Sequence, residues 1–573
     1  MISLDTLRAD HLSCYGYARL TSPHIDRLAA QGSVFRTCIA PHIPTHPGHT
    51  TVFTGTDVFD HQIVSHGGQL DLDPGIPLLA ERLQAAGFFT AAADNLGRWF
   101  PRGFDHYEGY RWNADPKGRL PKAEAVNQTA DRVFAAIAAQ NKPFFCFLHY
   151  WDAHTPYLPP DPFWGMFYDG DPTDPRHRSL EAMWRFEPFR WYFHEWMPGV
   201  TDVAFPKSQY DAELAYMDTC LAHLFTVLHA RGLDRDTLVV LFADHGEELD
   251  EHSMWFDHHG LYETNVHVPL IFWAPGRVPA RTLFGPVSHY DIAPTVLEAA
   301  GVDPEGPALA GASLWSAMRG GPDTGTWEAL YLTECSWMRK HAWRTREWKL
   351  ILAKEPDFHH CPPVELYHLP SDPTEQRNLA AERPDVVDTL RAAMEGHVAR
   401  RSQTTGRPAP IDVQGVTMRR IGNVQTAIPA NMKLGAVEAA APTVEPTPAA
   451  QPAPEQPAAE APPLPSRRPA ARGGPAAEGR APRGGTGGAS PPTGTAPTRA
   501  AASKAQGATA RARRAAGDPG TGRGTGRATA GVGSREAAVP PEPPAASRRP
   551  WAPAPGVERA PARGKRSRGV GPV

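Results

Sequence analysis

Three short apolar runs in this chain each stop at acidic and histidine residues, and no other feature narrows the fold as far. Residues 2–4 run into Asp5, residues 143–150 into Asp152 and His154, and residues 237–242 into Asp244 and His245. Unbroken apolar runs of this length suit strands buried on both faces, as in a parallel sheet flanked by helices. Helical patterns lie between them. Residues 209–229 place Leu214, Met217, Leu221, Leu224 and Leu228 on one stripe at spacings of three and four, and residues 76–86 and the stretch after Glu124 read similarly. Strands alternating with amphipathic helices predict an α/β, doubly wound sheet flanked by helices. Ligands of such folds sit beyond the carboxyl ends of the strands. Asp5, Asp152, His154, Asp244 and His245 all fall there. A polar residue must follow any strand, but three strands ending alike point to a site.

The rest of the chain divides by composition. A loop-rich segment, residues 161–206, is crowded with aromatics, most of them for packing and a minority suited to form a wall over the site. A smaller unit follows over residues 327–400, where 343–352 and 365–369 read as strands and 384–398 as a helix carrying Val387, Leu390 and Met394. From about residue 405 the text becomes Pro, Ala, Gly, Arg and Thr. The whole chain carries 58 Lys and Arg against 62 Asp and Glu, but residues 441–573 hold 20 against 8, so an acidic body precedes a basic tail. Such a tail cannot repay the entropy of ordering and reads as disordered. Arg511, Arg513 and Arg514 would suit contact with nucleic acid or another anionic surface; the alternative is a solubilising extension. The predicted boundaries are 1–325 for a catalytic α/β domain, 326–404 for an α+β subdomain and 405–573 for the tail.

Six cysteines, at 14, 38, 146, 220, 335 and 361, show no paired spacing, which argues against a disulfide framework or a zinc knuckle. No apolar run is long enough to cross a membrane and no signal peptide is visible. As written the chain reads as cytoplasmic, while an opening inside a strand admits a few residues and an export signal upstream. The oligomeric state is open.

The segment Thr45-His-Pro-Gly-His49 carries the first chemistry. Pro47 suits the first position of a helix, which places Thr45 just ahead of it, among unpaired N–H groups that favour an anion. A threonine hydroxyl there is positioned to attack an anionic ester if a metal or base activates it; the plainer alternative is a helix cap. Asp244-His245-Gly246 offers a carboxylate and an imidazole side by side, and with Asp5 they would converge on one divalent cation where Gly246 lets the chain turn; the alternative is a solvated acidic loop.

Taken in order, these pieces resemble the sulfatase family of the alkaline phosphatase superfamily. Ile2-Ser-Leu-Asp5 through Gly16 resembles the family's opening motif, continued by Ser22-Pro-His-Ile-Asp-Arg-Leu-Ala-Ala-Gln-Gly32. Thr45 to Gly55 resembles the nucleophile helix, His149-Tyr-Trp-Asp152-Ala-His154 the mid-domain histidine motif, and Asp244-His245-Gly246-Glu247 with His258-His259-Gly the second metal motif. Later landmarks are Ser288-His-Tyr-Asp291 and Glu365-Leu-Tyr367 through Leu379. The resemblance spans roughly residues 1–400. It implies a metal-dependent hydrolase of sulfate or phosphorus esters, with Asp5, Asp244 and His245 on the metal, Thr45 as nucleophile and His49 at an arginine position. It also assigns His154 to the non-bridging oxygens and His258 to the leaving group, His259 being an equally close candidate.

Three departures refine that expectation. Sulfatases usually carry Cys or Ser at the nucleophile position, oxidised to formylglycine, and threonine cannot undergo that conversion. A threonine adduct must be released by an external nucleophile, which tilts the expected substrate from sulfate towards a phosphate or phosphonate ester. The usual second aspartate and asparagine of the metal site are Thr6 and His245 here. An imidazole in place of an oxygen ligand favours manganese, zinc or magnesium, with calcium still admissible. No second Asp-x-x-x-His pair lies between residues 145 and 235, Asp218 having Ala222 at that spacing, so one metal ion is expected. The expected partner is a small anionic ester, on a sugar or lipid. The competing readings are a phosphoryl-group transferase to a sugar or lipid hydroxyl and a non-catalytic binding protein that keeps the fold.

Overall fold

The computed structural model describes residues 1–304, 306–421 and 424–427, with side chains as far as Met418. The strands, in chain order, are β1 (Ile2–Leu4), β2 (Ser33–Ile39), β3 (His42–Ile43), β4 (Phe89–Ala93), β5 (His106–Glu108), β6 (Phe144–Tyr150), β7 (Val239–Phe242), β8 (His267–Trp273), β9 (Arg281–Leu283) and β10 (Val287–Ser288). All but β3 join one sheet in the order β10-β2-β8-β7-β1-β6-β4-β5, with β9 also on β2. Pairing is parallel throughout except around β8, which runs antiparallel to β2 and β7. The three predicted runs become β1, β6 and β7, adjacent at the centre of the sheet.

Two groups of helices pack against this sheet. Pro23–Gln31 and Lys122–Ala138 both touch Ala204–Ala230, while Thr45–Thr54, Leu79–Ala85 and Ile292–Ala300 touch one another. On Ala204–Ala230 the predicted stripe is buried, and so are Asp211, Glu213 and Asp218. Asp218 accepts the backbone N–H groups of His24 and Ile25, so it serves the start of helix Pro23–Gln31. That occupation explains a buried carboxylate with no metal to hold. All six cysteines are free thiols, with Cys146 and Cys220 buried as expected.

A second sheet follows, built from β11 (Ala329–Glu334), β12 (Lys340–Thr345), β13 (Trp348–Ala353) and β14 (Val364–His368) in the order β14-β13-β12-β11-β3. The single strand read over residues 343–352 is in fact a hairpin, β12 and β13 pairing antiparallel around Arg346 and Glu347. No glycine, proline or asparagine marks that turn, which is why the sequence pattern ran through it. The helix read as 384–398 extends over Pro384–Thr405 and buries Val387, Leu390 and Met394. The folded chain also runs past residue 404: Pro410–Val413 is helical, Ile411 is fully buried, and Val416 and Thr417 are buried beside it. The rest of the segment read as tail, from residue 428 on, lies outside the described residues, as do Arg511, Arg513 and Arg514.

The smaller sheet is tied to the larger body in two ways. Its last strand, β3, pairs with β11 and leads through Pro44 directly into Thr45. Buried Lys349 on β13 lies 2.8 Å from both Glu263 and Glu375, while Arg344 grips Glu263 with two hydrogen bonds. Removing one member of such a buried cluster leaves an uncompensated charge and costs about 3–5 kcal/mol. The cluster anchors the segment that follows His258 and His259.

Candidate active site

Thr45 is the first residue of helix Thr45–Thr54, not the residue ahead of it, and Pro47 stands inside the first turn. A proline is tolerated there because the first N–H groups of a helix have no intrahelical partner. The Thr45 hydroxyl lies 3.2 Å from His245 Nε2, so its setting is the metal corner, not a capping role. Gly48 lets this helix close on the strand end opposite, since a Cβ there would stand 2.9 Å from the backbone oxygen of Asp244.

Asp5, Asp244 and His245 meet as expected, each with a ligand atom within 4.8 Å of the others, and all three are fully buried. The chain makes the turn through Gly246, where a Cβ would come within 1.9 Å of the Thr264 carbonyl oxygen. His245 Nδ1 faces the Gly246 carbonyl at 2.9 Å and donates to it, which leaves Nε2 as an acceptor facing the Thr45 hydroxyl at 3.2 Å. The same nitrogen lies 3.7 Å from Asp5 Oδ1 and 3.5 Å from Asp244 Oδ2. Neither carboxylate oxygen has a hydrogen-bond partner. Burial, with His258 nearby, pushes the His245 imidazole down to about 4, the neutral form a metal ligand requires. Burial and the neighbouring Asp5 push Asp244 up to about 7. Two uncompensated carboxylate oxygens and an accepting imidazole nitrogen in a dry corner fit one divalent cation. Among the described residues this is the one group of such donors.

The remaining expected residues surround that corner. His49 is fully buried behind it, with Nδ1 2.9 Å from the Thr45 carbonyl and 3.4 Å from Asp244, and Nε2 2.8 Å from Ser3 Oγ. It therefore braces the start of helix Thr45–Thr54 from behind. His258 stands in front, its ring 4.5 Å from that of His245 and 5.1 Å from that of His154. Burial opposes its charge, yet Asp257 and the Glu247 carboxylate, 3.2 Å away, raise it to about 9. His259 turns away to His359, 2.8 Å distant, which leaves His258 as the residue facing the metal corner. His154 donates from Nδ1 to the Thr155 carbonyl, and burial lowers it to about 4. As a neutral ring it offers only an Nε2 lone pair, so it can grip an anion only when the anion itself favours protonation. Asp152 does not reach the corner; it lies behind His154 in a buried group with Glu213 and Lys122.

Sequence reasoning missed several contributors. His149, inside a motif already singled out, bridges Asp5 (3.2 Å) and Asp94 (2.9 Å). Although burial opposes it, these two carboxylates raise the His149 imidazole to about 10, and the Asp5 carboxyl is held well below its usual range. Asp94 ends β4, a fourth strand end whose single aspartate looks ordinary alone. His66, which follows helix Thr45–Thr54 in the chain, stacks on His46 at 4.0 Å. Most of the aromatic segment packs internally, through helices Glu181–Arg185 and Glu187–Trp196, but Phe186 stacks on His359 at the edge of the site.

Comparison with known proteins agrees with this geometry. The sulfatase family model matches residues 1–302, and the model for the N-sulphoglucosamine sulphohydrolase C-terminal region matches residues 250–402. An N-acetylglucosamine-6-O-sulfatase of Bacteroides thetaiotaomicron is 24% identical over 456 residues, covering 64% of this chain and 80% of the relative. A choline-sulfatase of Rhizobium meliloti is 28% identical over 431 residues, covering 64% and 79%. Among solved structures, the phosphonate monoester hydrolase of Agrobacterium radiobacter superposes with a TM-score of 0.56 at 22% identity, over 70% of this chain and 95% of that one. With the family model matching more than half its length and the metal corner built from the expected strand ends, the chain belongs to the sulfatase family of the alkaline phosphatase superfamily.

Proposed function

We propose that this sulfatase-type hydrolase cleaves a phosphate or phosphonate ester by way of a covalent Thr45 adduct. The observation that carries the reading is the Thr45 hydroxyl, 3.2 Å from His245 Nε2 at the start of its helix, a secondary alcohol that cannot be oxidised to an aldehyde. A divalent cation held by Asp5, Asp244 and His245 would supply charge neutralisation and favour the alkoxide form of a nearby hydroxyl. Thr45 Oγ1 attacks phosphorus in line, the P–Oγ1 bond forms, and the bond to the departing oxygen breaks. The His258 imidazolium, maintained by Asp257 and Glu247, gives that oxygen its proton. Water then attacks the phosphothreonine from the side the first alcohol left, giving one proton to the now neutral His258, while Thr45 Oγ1 departs as the alkoxide it began as and the phosphoryl group returns to solution. His49 holds the helix that presents Thr45, and His154 faces the anion's outer oxygens.

The relatives support an anionic ester on a sugar or small alcohol, since they include a sugar sulfatase, a choline-sulfatase and a phosphonate monoester hydrolase. The test is a panel of aryl sulfate, phosphate monoester, phosphodiester and phosphonate substrates, assayed after chelation and after add-back of manganese, zinc, magnesium or calcium. Phosphorus esters should be cleaved fastest, with manganese or zinc outperforming calcium. Turnover of the sulfate alone would reject the threonine argument, and restoration by calcium alone would reject the argument from His245.

A further inference from the structure

His66 belongs to none of the motifs, yet its imidazole lies within electrostatic reach of His258, Asp5, His154 and His245. Its ring stacks on that of His46, the neighbour of Thr45 in the chain, which sets it at the border of the same space. It is partly exposed, and its ring lies nearly parallel to that of His46, the residue after the nucleophile, at 4.0 Å and 17°. Burial, with the neighbouring histidines, disfavours a positive charge on either ring, so each is a neutral imidazole with one N–H. His46 Nδ1 receives the Gly67 N–H at 3.5 Å, which puts the His46 proton on Nε2.

What holds His66 in place comes from the far end of the folded chain. Its backbone N–H donates to Ser336 Oγ at 2.7 Å, and its carbonyl accepts from Thr417 Oγ1. Gln414 Nε2 donates to the Gln62 carbonyl at 2.8 Å, and the Met418 N–H donates to the Ser336 carbonyl at 2.8 Å. Ile411, Val416 and Thr417 are buried, so this strap is packed as well as hydrogen-bonded. Loop 62–66 and residues 411–418 thus converge on Ser336.

We propose that His66 is a substrate-binding residue that contacts the anionic group of the ester, and that residues 411–418 are a strap that positions it. The proposal rests on the reading of Thr45 and the metal corner as the reaction centre, but it concerns binding, not bond cleavage. It is tested on the full chain with two readouts: KM and kcat for the best substrate of the panel, and calorimetric binding of inorganic phosphate to the metal-loaded protein. His66→Ala should weaken phosphate binding and raise KM about tenfold, the scale of one lost hydrogen bond to a charged group, while kcat falls less. Metal content should stay at one ion per chain. His66→Gln, which keeps a donor, should recover part of the loss. Thr417→Val should shift KM and phosphate affinity about threefold in the same direction without touching the site. Phosphate affinity unchanged in His66→Ala overturns the binding role. A Thr417→Val protein that melts earlier but binds phosphate normally overturns the strap. If Thr45→Ala keeps its turnover while phosphate binding still depends on His66, the catalytic reading falls and this one stands.

Discussion

At the back of the site Asp5 Oδ1, Asp244 Oδ2 and His245 Nε2 converge with no donor among them, whereas at the front His258 sits between two carboxylates that satisfy its charge. Both regions are buried and both are built from Asp, Glu and His. They differ in what remains unpaired. The back corner has an excess of lone pairs and is electrically complete only with a cation. The front wall supplies its own counter-charges and holds a proton beyond the range where a solvated histidine would release it. Burial by itself therefore does not tell a metal ligand from an acid; the second partner of each imidazole does. His245 spends Nδ1 on a carbonyl and exposes a lone pair, while His258 spends Nδ1 on Glu247 and keeps its proton.

The sharpest way to break this comparison is to remove the group at its centre. Thr45→Ala should lower kcat by several orders of magnitude, because nucleophile and metal activation act as one unit. The variant should still fold and bind one metal ion, and Thr45→Ser should recover part of the rate. A slow phosphonate should label wild-type protein at Thr45, seen as a mass shift on that peptide. Turnover within tenfold of wild type in Thr45→Ala would leave the back corner as a mere metal site. A smaller effect is expected at the front. His258→Gln should cost about 10–100-fold in kcat, in the usual range for general acid catalysis. Because its carboxylate partners raise the His258 pKa to about 9, the proton donor is present at lower pH and is lost as pH rises through that value. A bound cation beside it pulls the alkaline limb of kcat below 9. That limb should vanish in the variant, and a wild-type limb that survives the substitution would assign the proton elsewhere.

The smallest effect is expected far from both regions. Deleting residues 428–573, whose Pro-, Ala- and Gly-rich composition predicts no part in the core or the site, should leave turnover on small aryl substrates and the melting temperature nearly unchanged. Deletion from residue 409 instead strips Ile411 and Val416 from their packing and should cost about 2–5 kcal/mol. Equal melting temperatures for the two truncations would contradict the burial of Ile411.

The back corner was legible because each member follows an apolar run, a local signal, and because order and spacing tied the runs to one family. The front wall was half legible. His154 and His258 came from motifs, and so did Glu247, but nothing in the sequence marks Glu247 and Asp257 as the pair that holds the His258 proton, or the Thr155 carbonyl as the partner of His154. The Asp94–His149 pair joins residues 55 apart, and the Thr417–His66 contact residues 351 apart. Neither separation has a period or a composition to betray it. The same blindness set the tail boundary too early: residues 406–418 are rich in the loop-forming types, yet Ile411 and Val416 find an apolar seat that only the folded sheet provides. In the doubly wound body, where strand and helix periods recur, pattern and fold agree; in the short hairpin of β12 and β13 they part.

The pairing of β3 with β11 has a consequence in time. The segment that enters Thr45 finds its neighbour strand only when the chain is almost 300 residues longer, His42 Nδ1 meeting Thr333 Oγ1 across 291 positions. At ribosomal rates of about 5–20 residues per second, that interval lasts about 15–60 s. Only over its last 88 residues, about 4–18 s, does the nascent protein already hold Asp5, Asp244 and His245 but not yet the strand that pairs beside the entry to Thr45. The three strand-end residues can thus meet before β3 finds β11, and the segment leading into Thr45 is locked into place only when translation nears the end of the folded body.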